Sequence, residues 1–201
     1  MAKITQLSQL DMSASYSYAD YLTWRLEETV ELIKGKISLM APAPNVNHQR
    51  LSMSLSSQLF NYFRGKSCQV FAAPFDVRLY DRRKPILANQ EIVTVVQPDI
   101  CVICDPDKLD EQGCTGAPDW IIEIVSKGSS KNDTQIKHAL YAASGVTEYW
   151  LVFPYETIIQ QYVLNEQGQY HLRCSFAGDD LATSHLFPDM SIDLSELFPD
   201  N

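Results

Sequence analysis

Two rhythms of apolar residues run through this chain. Between residues 46 and 63 the beat is helical: Leu51, Leu55, Leu59 and Phe63 recur every fourth position and mark a buried stripe. Asn45 or Asn47 is placed to cap that helix, which puts His48 in its first turn. A second helical run covers residues 133–144 (DTQIKHALYAAS). There Ile136, Leu140 and Ala143 recur at three- and four-residue steps and predict the face turned to the core, before Gly145 ends the helix. The remaining apolar segments have strand character. Residues 98–104 (PDICVIC) and 119–125 (DWIIEIV) are β-branched runs bounded by turn formers, the pattern of buried neighbouring strands. Residues 30–37 (VELIKGKI) read as a strand that turns near Gly35. Residues 147–153 form a further strand, and 157–164 pairs with 169–176 as a hairpin around Asn165-Glu166-Gln167-Gly168. Tyr149 and Trp150, at strand spacing, predict core or subunit-interface packing rather than base stacking. Residues 1–15 follow neither rhythm and read as a flexible tail.

One position breaks the strand pattern. Glu123 stands between Ile122 and Ile124, where a dry, unpaired charge would cost several kcal/mol. Something must compensate it. If the strands at 98–104 and 119–125 lie side by side, Asp99 comes next to Glu123. Two carboxylates with the backbone carbonyl of Ile124 make an oxygen-rich set suited to Mg²⁺ or Mn²⁺. An ion there would suit phosphodiester hydrolysis, by acidifying a water and absorbing charge on the phosphate oxygens. Taken singly, each residue has a plainer explanation: Asp99 as a turn cap after Pro98, Glu123 as the partner of a basic residue on an adjacent strand. Lys137 shifts the balance. It lies beside the apolar stripe of the 133–144 helix, on one face with Asp133 and Tyr141, and so leans toward the sheet. There it would orient the attacking water or stabilise the phosphate charge. On spacing alone an ordinary Asp133–Lys137 helix pair explains it equally well.

Composition narrows the field. With 201 residues and no Pro/Gly/Ser-rich linker, repeat or low-complexity segment, the expectation is one domain over residues 16–201. No apolar run reaches the roughly 18 residues of a membrane helix. No secretory leader is recognisable either, so a soluble, cytoplasmic protein without a membrane partner is expected. Five cysteines, an odd number, then argue for reduced thiols. Cys101 and Cys104 point to opposite faces of one strand and share no metal, and Cys114 is expected to be exposed in the 105–118 loop. The formal net charge of −9 opposes tight binding to a polyanion. Against it stands a local basic cluster, Arg78, Arg82, Arg83 and Lys84, just before the Asp99 strand.

Six segments carry a resemblance: VELIKGKI at 30–37, PNVNHQRL at 44–51, APFDVRLY at 73–80, QPDICVICDPDKLDEQGCTGAPDWIIEIVS at 97–126, DTQIKHALYAASGVTEYWLVFP at 133–154 and HLFPDMSIDLSELF at 185–198. Through them, from about Glu31 to the C-terminus, the chain resembles the Uma-type restriction-endonuclease family of the PD-(D/E)XK nuclease superfamily. The resemblance implies an α/β (α+β) fold with a restriction-endonuclease-like mixed central sheet flanked by helices, to which the later segments add C-terminal strands. It implies a Mg²⁺- or Mn²⁺-dependent endonuclease acting on nucleic acid, DNA foremost, with Asp99 and Glu123 as metal ligands. Glu31 answers to an early acidic residue that joins the metal site in related nucleases, and His48 to a histidine of the family motif. Two departures stand out. The superfamily places a lysine two residues after the glutamate, where this chain has Val125, so the resemblance moves that role to Lys137. The family's Ser-Pro-Ser after the glutamate strand is replaced by Ser126, Lys127 and Gly128, which offers Lys127 and Lys131 as phosphate contacts. A homodimer would let two such sites address both strands of a duplex. The alternatives are a catalytically silent nuclease-fold binding module and a metal-dependent phosphoesterase acting on a small nucleotide, which suits the acidic composition.

Overall fold

Strand alternation and helix stripes together dictate a layered molecule. The computed structural model describes residues 4–40, 45–81, 88–126 and 131–199, the side chains of 131–133 excepted. In chain order, a single-turn helix α1 (Tyr18–Tyr21) precedes the hairpin β1 (Val30–Ile33) and β2 (Lys36–Leu39) and the long helix α2 (Val46–Phe63). Strands β3 (Gln69–Ala72), β4 (Val77–Arg78), β5 (Val95–Val96), β6 (Ile100–Ile103), β7 (Leu109–Asp110), β8 (Gly113–Thr115) and β9 (Trp120–Ile124) follow. Helix α3 (Lys131–Ser144), strands β10 (Glu148–Phe153), β11 (Ile158–Leu164) and β12 (Tyr170–Ala177), the small pair β13 (Leu181–Thr183) and β14 (Ser191–Asp193), and helix α4 (Leu194–Leu197) complete it.

The central sheet has the order β12-β11-β10-β9-β6-β3 and a second sheet the order β2-β1-β5-β4-β8-β7. Both are mixed. β9 and β10 run parallel with α3 as their crossover, and β4 and β8 run parallel; the other ladders are antiparallel. Mixed sheets flanked by helices, with added C-terminal strands, are the architecture the resemblance implies. Alternation sorts the two faces of the central sheet. Ile100, Val102, Trp120, Ile122, Trp150 and Val152 face α2, whose expected stripe of Leu51, Leu55, Leu59 and Phe63 is buried throughout. Cys101, Ile103, Ile121, Tyr149 and Leu151 face the other way, against Leu140 and Tyr141 of α3 and Val77, Leu79 and Cys114 from the second sheet's side. Each such aliphatic or aromatic burial stabilises by about 1.5–3 kcal/mol. The strands that carry the acidic residues are therefore held between two dry layers. At the start of α2, Asn45 acts as the cap, its Oδ1 accepting the His48 N–H at 2.9 Å. The β1–β2 turn passes through Lys34 and Gly35, both at positive φ, and a side chain at Gly35 would run into Ser15. Among the described residues no helix is long and apolar enough to cross a membrane.

Several expectations fail, each for a local reason. Residues 4–15 do not form a loose tail. Ile4 bridges Trp24, residues 7–9 make a 3₁₀ turn, and Leu10 is buried in a third apolar cluster with Tyr18, Trp24 and Leu32, covering what the short α1 leaves open. Cys114 is fully buried on β8, and Cys68 and Cys104, which flank the paired residues Gln69 and Ile103, are joined as a disulfide instead of being reduced. Cys101 and Cys104 do turn to opposite faces. Arg78, the described member of the basic cluster, is no surface cation: it is buried on β4, donates to the Cys114 carbonyl and pairs with Asp110 at 2.6 Å. Arg82, Arg83, Lys84, Lys127 and the side chain of Lys131 lie outside the described residues. Tyr149 and Trp150 are core, both fully buried. On α3, Leu140 is buried as expected but Ile136 and Ala143 are exposed.

Candidate active site

The site grows out of a strand end. β6 and β9 pair with Ile100 opposite Ile122, which brings Asp99, just ahead of β6, beside Glu123, near the end of β9. A side chain extends the ladder by one bond: the Ile124 N–H donates to Asp99 Oδ2 at 2.7 Å. Period two turns Asp99 and Glu123 to the same face as Cys101 and Ile121, which is the face α3 covers.

Side chains then arrive from both layers. Lys137 and Tyr141, one turn apart on α3, donate to Glu123 Oε1 at 3.0 and 2.6 Å. Lys137 Nζ also lies 3.1 Å from Glu31 Oε1. Glu31 reaches in from β1 of the second sheet, and its Oε1 accepts the Gln97 N–H at 2.9 Å. From the opposite side, the first turn of α2 brings His48 Nε2 to 3.3 Å from Asp99 Oδ2. All five side chains nominated from the sequence, Glu31, His48, Asp99, Glu123 and Lys137, thus meet at one end of the central sheet. Tyr141 is the member that sequence reasoning missed; its only signal is its place one turn beyond Lys137 on the same face.

The cluster is mostly dry, with side-chain exposure running from 5% at Glu31 to 20% at Asp99. Burial, aided by the Asp99 and Glu31 charges and opposed by Lys137 and the Tyr141 hydrogen bond, leaves the Glu123 carboxyl pushed up to about 7. Burial opposes the charge on Lys137, but Glu123 and Glu31 outweigh it and hold its pKa above the ordinary lysine value. The hydrogen bond to Asp99 raises His48 more than burial lowers it. Lys137 is therefore a fixed ammonium, a donor and a charge, and not a base. Once Glu123 is ionised, three carboxylates share this lysine and one imidazole, and the cluster is short of positive charge.

That shortage is a test of whether a cation fits. Asp99, Glu123 and the Ile124 carbonyl offer hard oxygen atoms at one strand end. Among the described residues no three His, Cys, Asp or Glu side chains form a ready-made metal cage. This donor set suits Mg²⁺ or Mn²⁺, which take one or two carboxylates and complete their shell with water and substrate phosphate, and it does not suit a four-ligand zinc centre.

Comparison with known proteins adds two findings. The family model described as "Uma2: Putative restriction endonuclease" matches residues 18–195. Among solved structures, the crystal structure of "a putative nuclease belonging to DUF820" from Anabaena variabilis ATCC 29413 aligns with a TM-score of 0.69 at 21% identity, covering 91% of this chain and 97% of that one. At that identity the likeness is one of fold. No curated protein matches the chain.

Proposed function

The chain belongs to the Uma2 restriction-endonuclease family, and from that premise we propose that it is a metal-dependent endonuclease hydrolysing the phosphodiester bonds of nucleic acid, DNA foremost. The observation that carries this reading is the convergence of Asp99, Glu123 and Lys137, from three separate segments, on one strand end. Asp99 and Glu123, with the Ile124 carbonyl, would hold Mg²⁺ or Mn²⁺. When bound, such an ion acidifies the attacking water and offsets the charge that builds on the phosphate oxygens. The chain's own groups do the rest. Lys137, pinned between Glu123 and Glu31, presents a charged donor beside Glu123, where it orients the water and faces the developing phosphate charge. Tyr141 stays neutral, because burial and the Glu123 charge raise its pKa far above the ordinary value, and it fixes the Glu123 carboxylate by donating to Oε1. His48 steadies Asp99 from the α2 side. Glu31, itself held by the Gln97 N–H, keeps Lys137 in place. Pairing of two copies, so that two sites address both strands, belongs to the same proposal.

The test is cleavage of supercoiled plasmid, single-stranded DNA and RNA in Mg²⁺ or Mn²⁺ by wild type, Glu123→Ala and Lys137→Ala. Cleavage lost in both variants supports the reading. Loss only in Glu123→Ala keeps the metal site and removes the role of Lys137. Unchanged cleavage in both points to a contaminant, and a folded wild type inert on every substrate turns the assignment to a silent binding module.

A further inference from the structure

Charge is not spread evenly along this chain. From Leu32 to Phe75 it carries five Lys or Arg and no Asp or Glu, although the whole chain has 25 acidic residues. The centre of that segment is α2, the helix that lends His48 to the candidate site. Its inner stripe is used by the core. On its outer side Val46, Arg50, Met53, Ser57, Phe60 and Arg64 recur at alternating four- and three-residue steps, so they share one face, and all are exposed. Gln49 and Asn61, also exposed, border it. Arg64 lies over the Phe60 ring, 5.5 Å from its centre, and Lys66, just beyond the helix, lies 3.2 Å over the Tyr62 ring.

We propose that the outer face of α2 is a track for the phosphate backbone of the nucleic acid whose scissile bond lies at Asp99 and Glu123. The inference rests on the nuclease reading of that site. Charge complementarity names the occupant. The cations Arg64 and Lys66, set among amide and hydroxyl groups (Gln49, Ser57, Asn61) on a helix that itself carries no carboxylate, form the donor set that phosphate oxygens require, with Arg50 on the same face. The exposed Phe60 ring adds flat apolar surface for sugars or unpaired bases. Continuity supports the same occupant, because one end of the helix is the His48 turn. At 18 residues and about 1.5 Å per residue, α2 is about 27 Å long, the axial length of about eight nucleotides at ~3.4 Å per step. The track also removes the objection raised by the net charge of −9, since the acidity resides outside the segment that meets the polyanion. A second copy packed α2 to α2 would set arginine against arginine with no carboxylate between them.

The test is fluorescence anisotropy with a labelled duplex two helical turns long and the matching single strand, in EDTA so that nothing is cut. Alongside it, Mn²⁺-dependent cleavage of bis(p-nitrophenyl) phosphate reads the site without the track. Arg64→Ala/Lys66→Ala is expected to bind about tenfold more weakly at low salt and to lower the slope of log affinity against log salt by roughly 1 to 2. Its melting temperature and small-diester cleavage are expected to match wild type. Met53→Ser/Phe60→Ser is expected to stay within about twofold of wild-type affinity for the duplex, where backbone contacts carry most of the binding, and to lose about fivefold or more on the single strand, whose unpaired bases stack on Phe60. Four results overturn the track while leaving the nuclease reading standing, provided the diester is still cleaved: equal binding by wild type and Arg64→Ala/Lys66→Ala; an equal loss in Arg173→Ala, an exposed cation on β12; no duplex or strand binding by wild type; or a loss of duplex binding confined to Met53→Ser/Phe60→Ser, which puts the contacts on apolar surface and not on phosphate-binding cations. A folded wild type that neither binds nor cleaves takes down both.

Discussion

Glu123 meets two conflicting demands. Its neighbours Ile122 and Ile124 are core residues, so burial favours the protonated acid and raises its pKa to about 7, yet the proposed metal site needs the carboxylate. The sign of the consequence follows from linkage. An acid whose pKa is raised by folding contributes stability that is complete below its unfolded value, here 4.5, and that is lost as pH rises through about 7. In EDTA the wild type is therefore expected to lose stability, on the order of 3 kcal/mol, between about pH 5 and about pH 8. The raised His48 pKa acts with the same sign. Glu123→Gln, which keeps the shape and removes the charge, is expected to flatten most of that fall while abolishing cleavage. Thermal melts across the range decide it, and a glutamine variant with the full wild-type slope would contradict the assignment. Lys137→Met leaves Glu31 and Glu123 buried with no ammonium between them. It is expected to cost about 3–5 kcal/mol near pH 8 and less near pH 5, where Glu123 takes up a proton; denaturant titration at the two pH values measures it, and an equal cost at both would refute the coupling. Asp99 and Lys137 each have a plainer explanation on spacing and are singled out by the family resemblance, whereas Glu123 is legible in the sequence because a charge inside a β-branched run demands an explanation. The parts of Tyr141 and Gln97 are not: a tyrosine at a buried helical position is ordinarily core, and a backbone N–H leaves no mark on a sequence.

At the scale of elements, α2 and α3 show where periodicity suffices and where it does not. On α2 the stripe is purely apolar and the core alone chooses the face, so sequence and structure agree to the residue. On α3 the period is right but the face is rotated, because the pull of Glu123 and Glu31 on Lys137 outweighs the burial of Ile136, which stays 38% exposed. Ile136→Gln is accordingly expected to cost only about 1 kcal/mol, whereas a fully core-facing isoleucine would cost several times more. The two-residue strands β4 and β5 are not legible at all, since their pairing depends on partners distant in the chain. Nor is the role of Glu148. Fully buried on β10, it accepts from Trp150 Nε1, Gln161 Nε2, Ser184 Oγ and the His185 and Leu186 N–H groups at 2.7–3.0 Å, tying the turn before β14 to the central sheet. Glu148→Ala strands those donors, each worth about 1–3 kcal/mol when left unpaired in the interior. A loss above about 3 kcal/mol is expected, with hydrogen exchange rising first across residues 181–197; uniform exchange at unchanged stability would show that the turn holds without it.

For the molecule as a whole, the proposed function requires that a chain of net charge −9 meet a polyanionic substrate. The fold answers by segregation. Three carboxylates are gathered at one strand end, where a cation can reverse their sign, and the acid-free α2 segment adjoins them. If the cluster's excess negative charge is completed by Mg²⁺, the ion binds the native state and not the unfolded chain, so it must stabilise the fold by mass action. At ten times the dissociation constant the gain is about 1.4 kcal/mol, which for a domain of this size is a rise of about 3–6 °C in melting temperature. Because the ion competes with the proton on Glu123, the rise is expected to be larger near pH 8 than near pH 6. Asp99→Asn and Glu123→Gln are expected to show none of it, while Arg64→Ala/Lys66→Ala, remote from the ligands, keeps it in full. Melting curves with and without Mg²⁺ on these proteins separate a metal centre from a charge cluster balanced by its own lysine: a wild-type melting temperature indifferent to the ion at both pH values would mean that Lys137 and His48 suffice, and that the strand end evolved to hold itself together and not to hold a metal.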